Sequence, residues 1–280
     1  MYRDIGQDFP LISVFMPTHN RRALLERAVD SVLNQTYPNI ELLIVDDGSS
    51  DNTWSYLFSI DDPRVRIFSN NIPKGACSAR NRAISEASGH LITGIDDDDY
   101  FRPERMMDLW RGYDYKNSFT FSKAINFRHF LLAPLVFFRN SVTLSQLFNY
   151  NLIGSQCITE TYKILEVKGF DENLPALQDY DLWVRLVQNF GDAKLIYSDT
   201  YVVDVGHGEE RITNPNNRIR AYAIFLAKYK EYMSPANLNS LYLREAEWSG
   251  GSVSWAMVVR ASLDGNLRWA LRFVFNKYFR

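Results

Sequence analysis

The sequence predicts an α/β protein with a mostly parallel, Rossmann-like sheet flanked by helices and followed by a C-terminal helical extension. Over roughly the first hundred residues, short apolar runs alternate with helical patterns in the order β-α-β-α-β-α-β. That order implies parallel strands joined by right-handed crossovers. From about residue 215 the pattern is almost all helical, with breaks at Pro235 and Gly250–Gly251. The 280 residues, 46% of them hydrophobic, are sufficient for a sizeable core.

The predicted strands are short apolar runs that end in polar residues. The first is Leu11–Pro17, the second is Ile40–Asp47, the third is "RVRIFS" and the fourth is "HLITGIDD". Ligands of open parallel sheets bind outside the carboxyl ends of the strands. We therefore expect three polar stretches to converge on one rim of the sheet: Pro17–Asn20, Asp46–Ser50 and Asp96–Asp99.

Helical periodicity occupies the gaps between these strands. The first helix is predicted over "RRALLERAVDSVLNQ", the second has Ser50 or Asp51 as its N-cap, and the third, "ACSARNRAISEASG", closes on Gly89. Further along, a helix over "PALQDYDLWVRLVQNFG" is expected to end at Gly191, and two short strands are expected over "AKLIYSDTYVVDVGHG". Residues 112–160 indicate only short strands and turns.

The net charge and the cysteine content argue against several classes of protein. The formal net charge of −2 gives no reason to expect nucleic-acid binding. Cys77 and Cys157 are too few for a disulfide framework and lack metal-site spacing, so buried free thiols are expected. The apolar run near the N-terminus is too short for a signal peptide or a membrane span. These features predict a cytoplasmic protein, or one held peripherally on the cytoplasmic face of a membrane.

The fourth strand leads into four adjacent carboxylates, Asp96–Asp99, which repel one another unless cations neutralise them. Hard oxygen ligands suit Mg²⁺ or Mn²⁺, and Mg²⁺ sites usually combine one or two carboxylates with substrate phosphates and water. The run therefore fits a metal–diphosphate complex. A solvated acidic turn balanced by Arg102 and Arg105 is the alternative, and the run alone does not separate the two.

Three separated stretches resemble the family-2 glycosyltransferases. They are "SVFMPTHNRRALLERAVDSVLNQTYPNIELLIVDDGSSDNT", "KGACSARNRAISEASGHLITGIDDDDYFRP" and "KGFDENLPALQDYDLWVRL", in family order and at family spacing. The resemblance implies the GT-A fold and an inverting hexosyltransferase-type enzyme that uses Mn²⁺ or Mg²⁺ and a nucleotide-sugar donor, with UDP sugars expected first. It also implies a catalytic domain over residues 1–212, in which about 10–105 bind the nucleotide sugar and about 106–212 the acceptor. The remaining part, 213–280, is the helical region.

The resemblance implies roles for individual residues on the donor side. Those expected to bind the nucleotide sugar are Pro17, Thr18, Asn20, Asp47, Lys74, Gly75, Arg80, Asp96, Asp97 and Arg211. Asp47 would accept a hydrogen bond from the base, or cap the turn that follows it. Asn20 would contact the nucleotide or cap a helix. Arg80 would join an anion site at the start of the third helix, or only brace the acidic rim.

The same resemblance implies which residues hold the metal. The acidic run occupies the family's D-x-D position, with Asp98 as a metal ligand and Asp96 facing the ribose or a metal-bound water. Asp97 fills the variable position and points away from both by strand alternation. His207 would be a second metal ligand from a glycine-flanked loop, with a structural role as its alternative.

The general base implied by the resemblance is Asp179, in "LQDYDLW". The family usually has Glu-Asp where this chain has Gln178-Asp179, so the assigned carboxylate is present and its neighbour is not. The carboxylate would take the proton of the acceptor hydroxyl as that hydroxyl attacks the anomeric carbon. For Asp181 and Trp183 a structural role is favoured over a place in the acceptor site.

The tail 264–280 combines basic residues with an apolar and aromatic helical stripe, a pattern that suits an anionic membrane surface. Packing on the catalytic domain or a homodimer contact is the alternative. A membrane contact would agree with a glycan or lipid-linked glycan acceptor in cell-surface polysaccharide assembly. Two other classes remain: a non-catalytic nucleotide-sugar-binding protein and a nucleotidyltransferase. The latter should carry a glycine-rich triphosphate loop where this chain has "MPTHNRR".

Overall fold

A computed structural model describes residues 9–125, 140–153, 156–204, 215–249 and 258–259. The strands in these ranges are β1 (Ile12–Thr18), β2 (Ile40–Asp46), β3 (Val65–Ser69), β4 (Leu91–Gly94), β5 (Tyr100–Phe101), β6 (Thr120–Ile125), β7 (Ser141–Val142), β8 (Thr159–Glu160) and β9 (Ala193–Val202). The helices are α1 (Arg22–Leu33), α2 (Thr53–Leu57), α3 (Ala76–Ser85), α4 (Arg105–Gly112), α5 (Leu144–Asn149), α6 (Thr161–Glu166), α7 (Gln178–Phe190), α8 (Pro215–Tyr229) and α9 (Pro235–Ser249).

The main sheet of the described structure has the strand order β3-β2-β1-β4-β8. Its first four strands are parallel, as predicted, and β8 runs antiparallel beside β4. Every residue of β1 and β2 is buried, because helices and the second sheet cover both faces. Gly94 ends β4 opposite Phe15, where an added Cβ would lie only 2.2 Å from the Phe15 ring. Only glycine allows this close pairing at the end of β4.

A second sheet has the order β5-β9-β6, and β7 also pairs with β9. The prediction of two short strands over "AKLIYSDTYVVDVGHG" was wrong, because a single strand of ten residues, β9, runs through most of it. The pairing of β9 with β6 jumps from Ile196 to Tyr201, while β6 advances only from Ser122 to Ala124. This bulge interrupts the alternation of β9, so the sequence pattern resembles two strands.

Two predicted helix ends also need correction. α3 ends at Ser85, not at Gly89. An added Cβ at Gly89 would lie 2.6 Å from Ser13 Oγ, so the glycine is needed for close approach to β1. α2 has Asn52 in the N-cap position, although Asp51 accepts a hydrogen bond from the Thr53 amide at 3.0 Å. The predicted end of α7 at Gly191 is confirmed by its positive φ of 86°.

The C-terminal helices α8 and α9 pack into the same hydrophobic cluster as α7. Tyr180 of α7 stacks on Phe225 of α8 with ring centroids 4.5 Å apart. The predicted break at Pro235 is confirmed as the start of α9. Gly250–Gly251 and the tail 264–280 lie outside the described residues. Cys77 and Cys157 are buried free thiols, as expected. Every helix in the described ranges is too short or too polar to cross a bilayer.

Candidate active site

The polar stretches expected at the strand ends meet at one rim of the main sheet. Thr18 of β1 is level with Asp46 of β2, which is level with Ser69 of β3. The pairing of β1 with β2 continues one residue beyond the end of β2, because the amide of Asp47 donates to the Thr18 carbonyl at 2.8 Å. β4 leaves the sheet beside β1 and places the run Asp96–Asp99 next to these residues.

Asp47 is buried at this rim and already holds several hydrogen bonds. Its carboxylate accepts from Asn70 Nδ2 at 2.8 Å and from the amides of Lys74 and Gly75 at 3.0 and 2.6 Å. These bonds tie the loop before α3 to the end of β2. The turn that follows β2 is capped by Asp46, which accepts from the Ser49 amide at 3.1 Å, so the capping role named as the alternative for Asp47 falls to its neighbour. Gly75 supports this loop with a φ of 94°, a conformation that favours glycine. Contact of Asp47 with a nucleotide base stays a prediction.

Asn20 joins two loops and does not cap the helix that follows it. Its side-chain Oδ1 accepts a hydrogen bond from the backbone amide of Ser50 at 2.7 Å, and its backbone amide donates to Ser49 Oγ at 2.8 Å. The N-cap position of α1 is Arg21, without a side-chain hydrogen bond to the helix. Asn20 adopts a left-handed φ of 53°, which asparagine tolerates better than most residues. The loops after β1 and β2 are therefore held as one unit beside the buried Pro17 and Thr18.

The two partly exposed carboxylates of the acidic run, Asp96 and Asp98, each pair with an arginine. Arg80 of α3 donates to Asp96 at 2.7 Å, and Arg21 at the start of α1 donates to Asp98 at 2.6 Å. The side chains of Asp96 and Asp98 are 38% and 33% exposed, so both are open to solvent at the rim. The space that they border is called the cleft. The proposed balance by Arg105 is wrong, because that side chain is fully buried and donates to the Gln156 carbonyl at 2.9 Å.

The other two carboxylates of the run, Asp97 and Asp99, are buried. Asp99 accepts from the Tyr201 hydroxyl at 2.7 Å and from the Asp204 amide at 3.0 Å, which fixes the end of β9 to the acidic run. Burial raises the pKa of Asp99 to about 8, with a further contribution from Asp96. Burial likewise raises the pKa of Asp97 to about 7. Asp97 is buried whereas Asp96 and Asp98 are partly exposed, but the segment is a turn and not a strand. Arg21 NH1 lies 3.8 Å from Asp97 Oδ1 and 2.6 Å from Asp98 Oδ2, so strand alternation does not describe these side chains.

Asp97→Asn is expected to change how stability depends on pH. The folded protein holds the Asp97 proton more tightly than the unfolded chain does, so the stability from this group is lost as pH rises from about 4 to about 7. Asparagine stays neutral, and its stability advantage over aspartate should grow by about 2–3 kcal/mol between pH 5 and pH 8. Urea unfolding at both pH values, with a chelator present, measures this difference. An advantage that stays constant between the two pH values would contradict the buried carboxyl.

Asp179 reaches the same cleft from the first turn of α7. Leu177, the N-cap, has a left-handed φ of 63°, which turns the chain sharply into the helix. Asn151 Nδ2 lies 3.4 Å from Asp179 Oδ2. Although Asp179 is exposed on one side, loss of hydration on the other side raises the pKa of its carboxyl. The negative charge of Asp96 raises this pKa further, whereas the positive charge of Arg80 lowers it. Arg80, which binds Asp96 at 2.7 Å, therefore also interacts electrostatically with the assigned base.

Gln178 and Asn81 hold the loop in front of α7. Gln178 Nε2 donates to the Leu174 carbonyl at 2.9 Å, so the residue that replaces the family's glutamate supports the local turn. Asn81 of α3 accepts from the Phe170 amide at 2.7 Å and donates to its carbonyl at 2.9 Å. An added Cβ on Gly169 would lie 2.3 Å from Asn81 Oδ1, so this glycine permits the contact. These bonds connect α3 to the loop in front of α7.

Asp181 and Trp183 have the structural roles that were favoured for them. Trp183 is buried and packs on Phe119 with ring centroids 5.3 Å apart. The fully buried Asp181 carboxylate accepts at 2.7 Å from Arg185 Nε and, at its other oxygen, from both Lys228 Nζ and the Tyr229 hydroxyl. Asp181 therefore fastens α8 to α7 and points away from the cleft.

Asp181→Asn is expected to destabilise the fold by about 2–4 kcal/mol. The change removes a buried charge that compensates Arg185 and Lys228, and the cost is moderated because Lys228 is 34% exposed. Chemical denaturation measures the loss. Asp171→Asn is the matched control, since Asp171 pairs with the same lysine at 3.2 Å but at the surface, and it should cost less than about 1 kcal/mol. Equal losses in the two variants would contradict the buried network.

Three residues of the site were not anticipated from the sequence. They are Arg21 on Asp98, Asn151 beside Asp179 and Tyr201 on Asp99. The basic pair in "HNRR" after β1 was a signal for Arg21, whereas Asn151 and Tyr201 stand in stretches without a motif. Of the other predicted residues, Lys74 and Gly75 contribute backbone amides to Asp47, and the Lys74 side chain is exposed. His207 and Arg211 lie outside the described residues.

The chemistry of the rim suits a divalent cation that brings further ligands with it. Among the described residues, no group of three or more His, Cys, Asp or Glu side chains is arranged to hold a metal. Asp96 and Asp98 present hard, cleft-facing oxygens, and one or two carboxylates are what a Mg²⁺ or Mn²⁺ ion needs when diphosphate and water complete its shell. The residues present therefore fit a metal–diphosphate complex better than a metal held by protein alone.

The sequence is similar to known glycosyltransferases over most of its length. A family profile described as "Glycosyl transferase family 2" matches residues 13–128. The chain is 35% identical to "Putative colanic acid biosynthesis glycosyl transferase WcaA" of Escherichia coli (strain K12), over 81% of this chain and 84% of that protein. It is 27% identical to "UDP-Glc:alpha-D-GlcNAc-diphosphoundecaprenol beta-1,3-glucosyltransferase WfaP" of Escherichia coli, over 81% and 85% of the two chains.

The backbone is similar to solved structures that contain nucleotide sugars. A crystal structure of S. aureus TarS in complex with UDP-GlcNAc matches with a TM-score of 0.68 and 20% identity, over 94% of this chain and 80% of that one. The mannosyltransferase PcManGT from Pyrobaculum calidifontis, in complex with GDP-Man and Mn²⁺, matches with a TM-score of 0.63 and 17% identity, over 97% and 88%. At such identities the likeness shows the fold alone, and it confirms the predicted GT-A type.

Proposed function

Since this chain belongs to glycosyl transferase family 2, we propose that it moves a sugar from a nucleotide diphosphate donor to a glycan or lipid-linked glycan, in cell-surface polysaccharide assembly. The observation that carries the proposal is the meeting of two elements in one cleft. The acidic run after β4 and Asp179 at the start of α7 lie near enough to interact electrostatically, and Arg80 binds Asp96 and also acts on Asp179. The first can hold a donor and the second can activate an acceptor.

The donor is proposed to be a UDP sugar and the acceptor a sugar carried on a lipid diphosphate. The names of relatives support both choices, since WfaP is a UDP-Glc-dependent glucosyltransferase acting on an undecaprenol-linked GlcNAc diphosphate. The fold-level neighbour TarS is seen with UDP-GlcNAc. A lipid-bound acceptor would bring the enzyme to the cytoplasmic face of a membrane. The contact proposed for this, residues 264–280, lies outside the described structure.

The residues of the cleft divide into a donor side and an acceptor side. Asp98 would hold Mn²⁺ or Mg²⁺ with the donor diphosphate, and Asp96 would face the ribose or a metal-bound water. The ion would neutralise charge on the leaving nucleoside diphosphate. Arg80 keeps Asp96 in place and adds positive charge to the same region. Asp179 would accept the proton of the attacking hydroxyl. One base and one attack from the opposite face of the sugar give inversion at the anomeric carbon.

A donor panel separates this function from the two other classes. We expect that one UDP sugar, with Mn²⁺ and a lipid-diphosphate-linked sugar acceptor, gives release of UDP and a longer glycan. Binding of the donor without turnover would indicate a non-catalytic binding protein. Release of pyrophosphate from a nucleoside triphosphate and a sugar phosphate would indicate a nucleotidyltransferase. Asp179→Asn serves as the control for turnover that comes from a contaminating enzyme.

A further inference from the structure

Arg21 holds the carboxylate to which metal binding is assigned. It occupies the N-cap position of α1, directly after the loop that ends β1. Its NH1 lies 2.6 Å from Asp98 Oδ2 and 3.8 Å from Asp97 Oδ1. Arg21 and Asp98 are both partly exposed, at 24% and 33% of their side chains, so the pair borders the cleft and is not locked in the core.

A divalent ion and this guanidinium cannot share the same oxygen without strong repulsion. Mg²⁺ binds carboxylate oxygen at about 2.1 Å, and the Arg21 nitrogen is at 2.6 Å from Asp98 Oδ2. The two cations would then lie within a few ångströms of each other at a site that is only partly exposed to water. Metal binding on that oxygen therefore requires Arg21 to move away from Asp98, and moving it costs free energy that the metal alone must supply.

We propose that Arg21 is the internal counter-ion of Asp98, which it neutralises before metal binds, and that its displacement makes metal binding depend on the donor. A donor diphosphate offers the displaced guanidinium a new anionic partner in the same cleft. The metal and the nucleotide then bind cooperatively, and each strengthens the binding of the other by the same factor. The inference rests on the metal-dependent donor site of the proposed function, and it adds the residue that couples the two ligands.

The test measures Mn²⁺ affinity without nucleotide, by titration calorimetry and by the electron paramagnetic resonance signal of free Mn²⁺. Arg21→Gln should bind Mn²⁺ alone about 5- to 20-fold more tightly than the wild type, because no cation has to leave Asp98. The factor by which UDP strengthens Mn²⁺ binding should shrink to a similar degree. In a chelator, the melting temperature of Arg21→Gln should be lower by about 2–5 °C, since the carboxylates lose their counter-ion.

Arg22→Gln is the matched control, because Arg22 is the next residue and pairs with Glu26 on the outer face of α1 at 3.0 Å. It should leave all three quantities unchanged. Arg21→Lys keeps the charge and should stay near the wild type in Mn²⁺ affinity. Equal or weaker binding of Mn²⁺ to Arg21→Gln would overturn the counter-ion role while leaving the proposed function intact. If neither protein binds Mn²⁺ even with UDP, the metal dependence in the proposed function fails together with this inference.

Discussion

Asp179→Asn should lower turnover by roughly 10²–10⁴-fold, the range expected when a general base is lost. Asparagine keeps the size of the side chain and an oxygen that can accept the bond from Asn151, but it cannot take a proton. The loss should appear equally in kcat and kcat/KM, because the proton moves only in the transition state. Affinity for UDP and Mn²⁺ should change little, since Asp179 is assigned to the acceptor side.

Asp181→Asn provides the comparison for this experiment. Asp181 lies two residues further along α7, but its carboxylate faces Lys228 and Tyr229. The folded fraction of that variant should therefore keep near-normal turnover despite its lower stability. A nearly active Asp179→Asn beside an inert Asp181→Asn would shift the base by two residues. If both variants keep their activity, this helix does not carry the base.

The pH profile of kcat/KM gives a second measure of the same group. A general base works in its deprotonated form, so the rate should fall as pH drops through the pKa of Asp179. The surroundings of the cleft raise this pKa above that of an ordinary aspartate. The acidic limb of the profile should therefore lie at a higher pH than an ordinary aspartate would give. An acidic limb at the ordinary aspartate value would argue against Asp179.

Asp98→Ala should remove the dependence of donor binding on metal. Loss of a residue that only supports a metal ligand usually costs 10–100-fold in affinity, so loss of the ligand itself should cost at least about 100-fold. Calorimetry with UDP, in Mn²⁺ and in a chelator, should give the same weak affinity in both conditions for the variant. The wild type should bind UDP much more tightly in Mn²⁺.

The control for this measurement is Asp61→Ala. Asp61 is exposed and precedes β3, so it lies at the opposite end of the sheet from the acidic run. It should bind UDP and Mn²⁺ as the wild type does. Asp98→Ala and Arg21→Gln should also act in opposite directions on Mn²⁺ alone, because one variant removes the ligand and the other removes its competitor. An Asp98→Ala protein that keeps its metal dependence would place the metal elsewhere.

The local pattern of apolar and polar residues was sufficient to predict the strands and helices of the parallel sheet. β1 and β2 are buried on both faces, so their sequences are continuous apolar runs that end in polar residues at the carboxyl ends. The alternation of strands and helices then implied a parallel sheet and a single rim. The resemblance to a family supplied the roles of Asp98 and Asp179. Sequence similarity establishes the family of this chain, whereas the roles of Asp98 and Asp179 are predictions that the variants above test.

Predictions from the local sequence pattern were wrong where a residue is determined by its contact with a distant part of the chain. Gly89 has the position of a helix-ending glycine, but it is required by its contact with Ser13. The alternation of β9 breaks at its bulge, because its pairing with β6 shifts there. Both errors have one cause. The sequence pattern reports the local period, while the neighbouring element decides which residue must be small or unpaired.

The sequence by itself determined the order of the elements, the apolar strands and the presence of four carboxylates at the end of one of them. Only the tertiary structure decided how those charges are distributed. Asp98 meets Arg21 across 77 positions of the chain, and Asp99 meets Tyr201 across 102. Such pairs depend on which strands the crossovers place side by side, and no local period reports that. For this reason the acidic run was visible in the sequence, whereas the separate partner of each carboxylate was not.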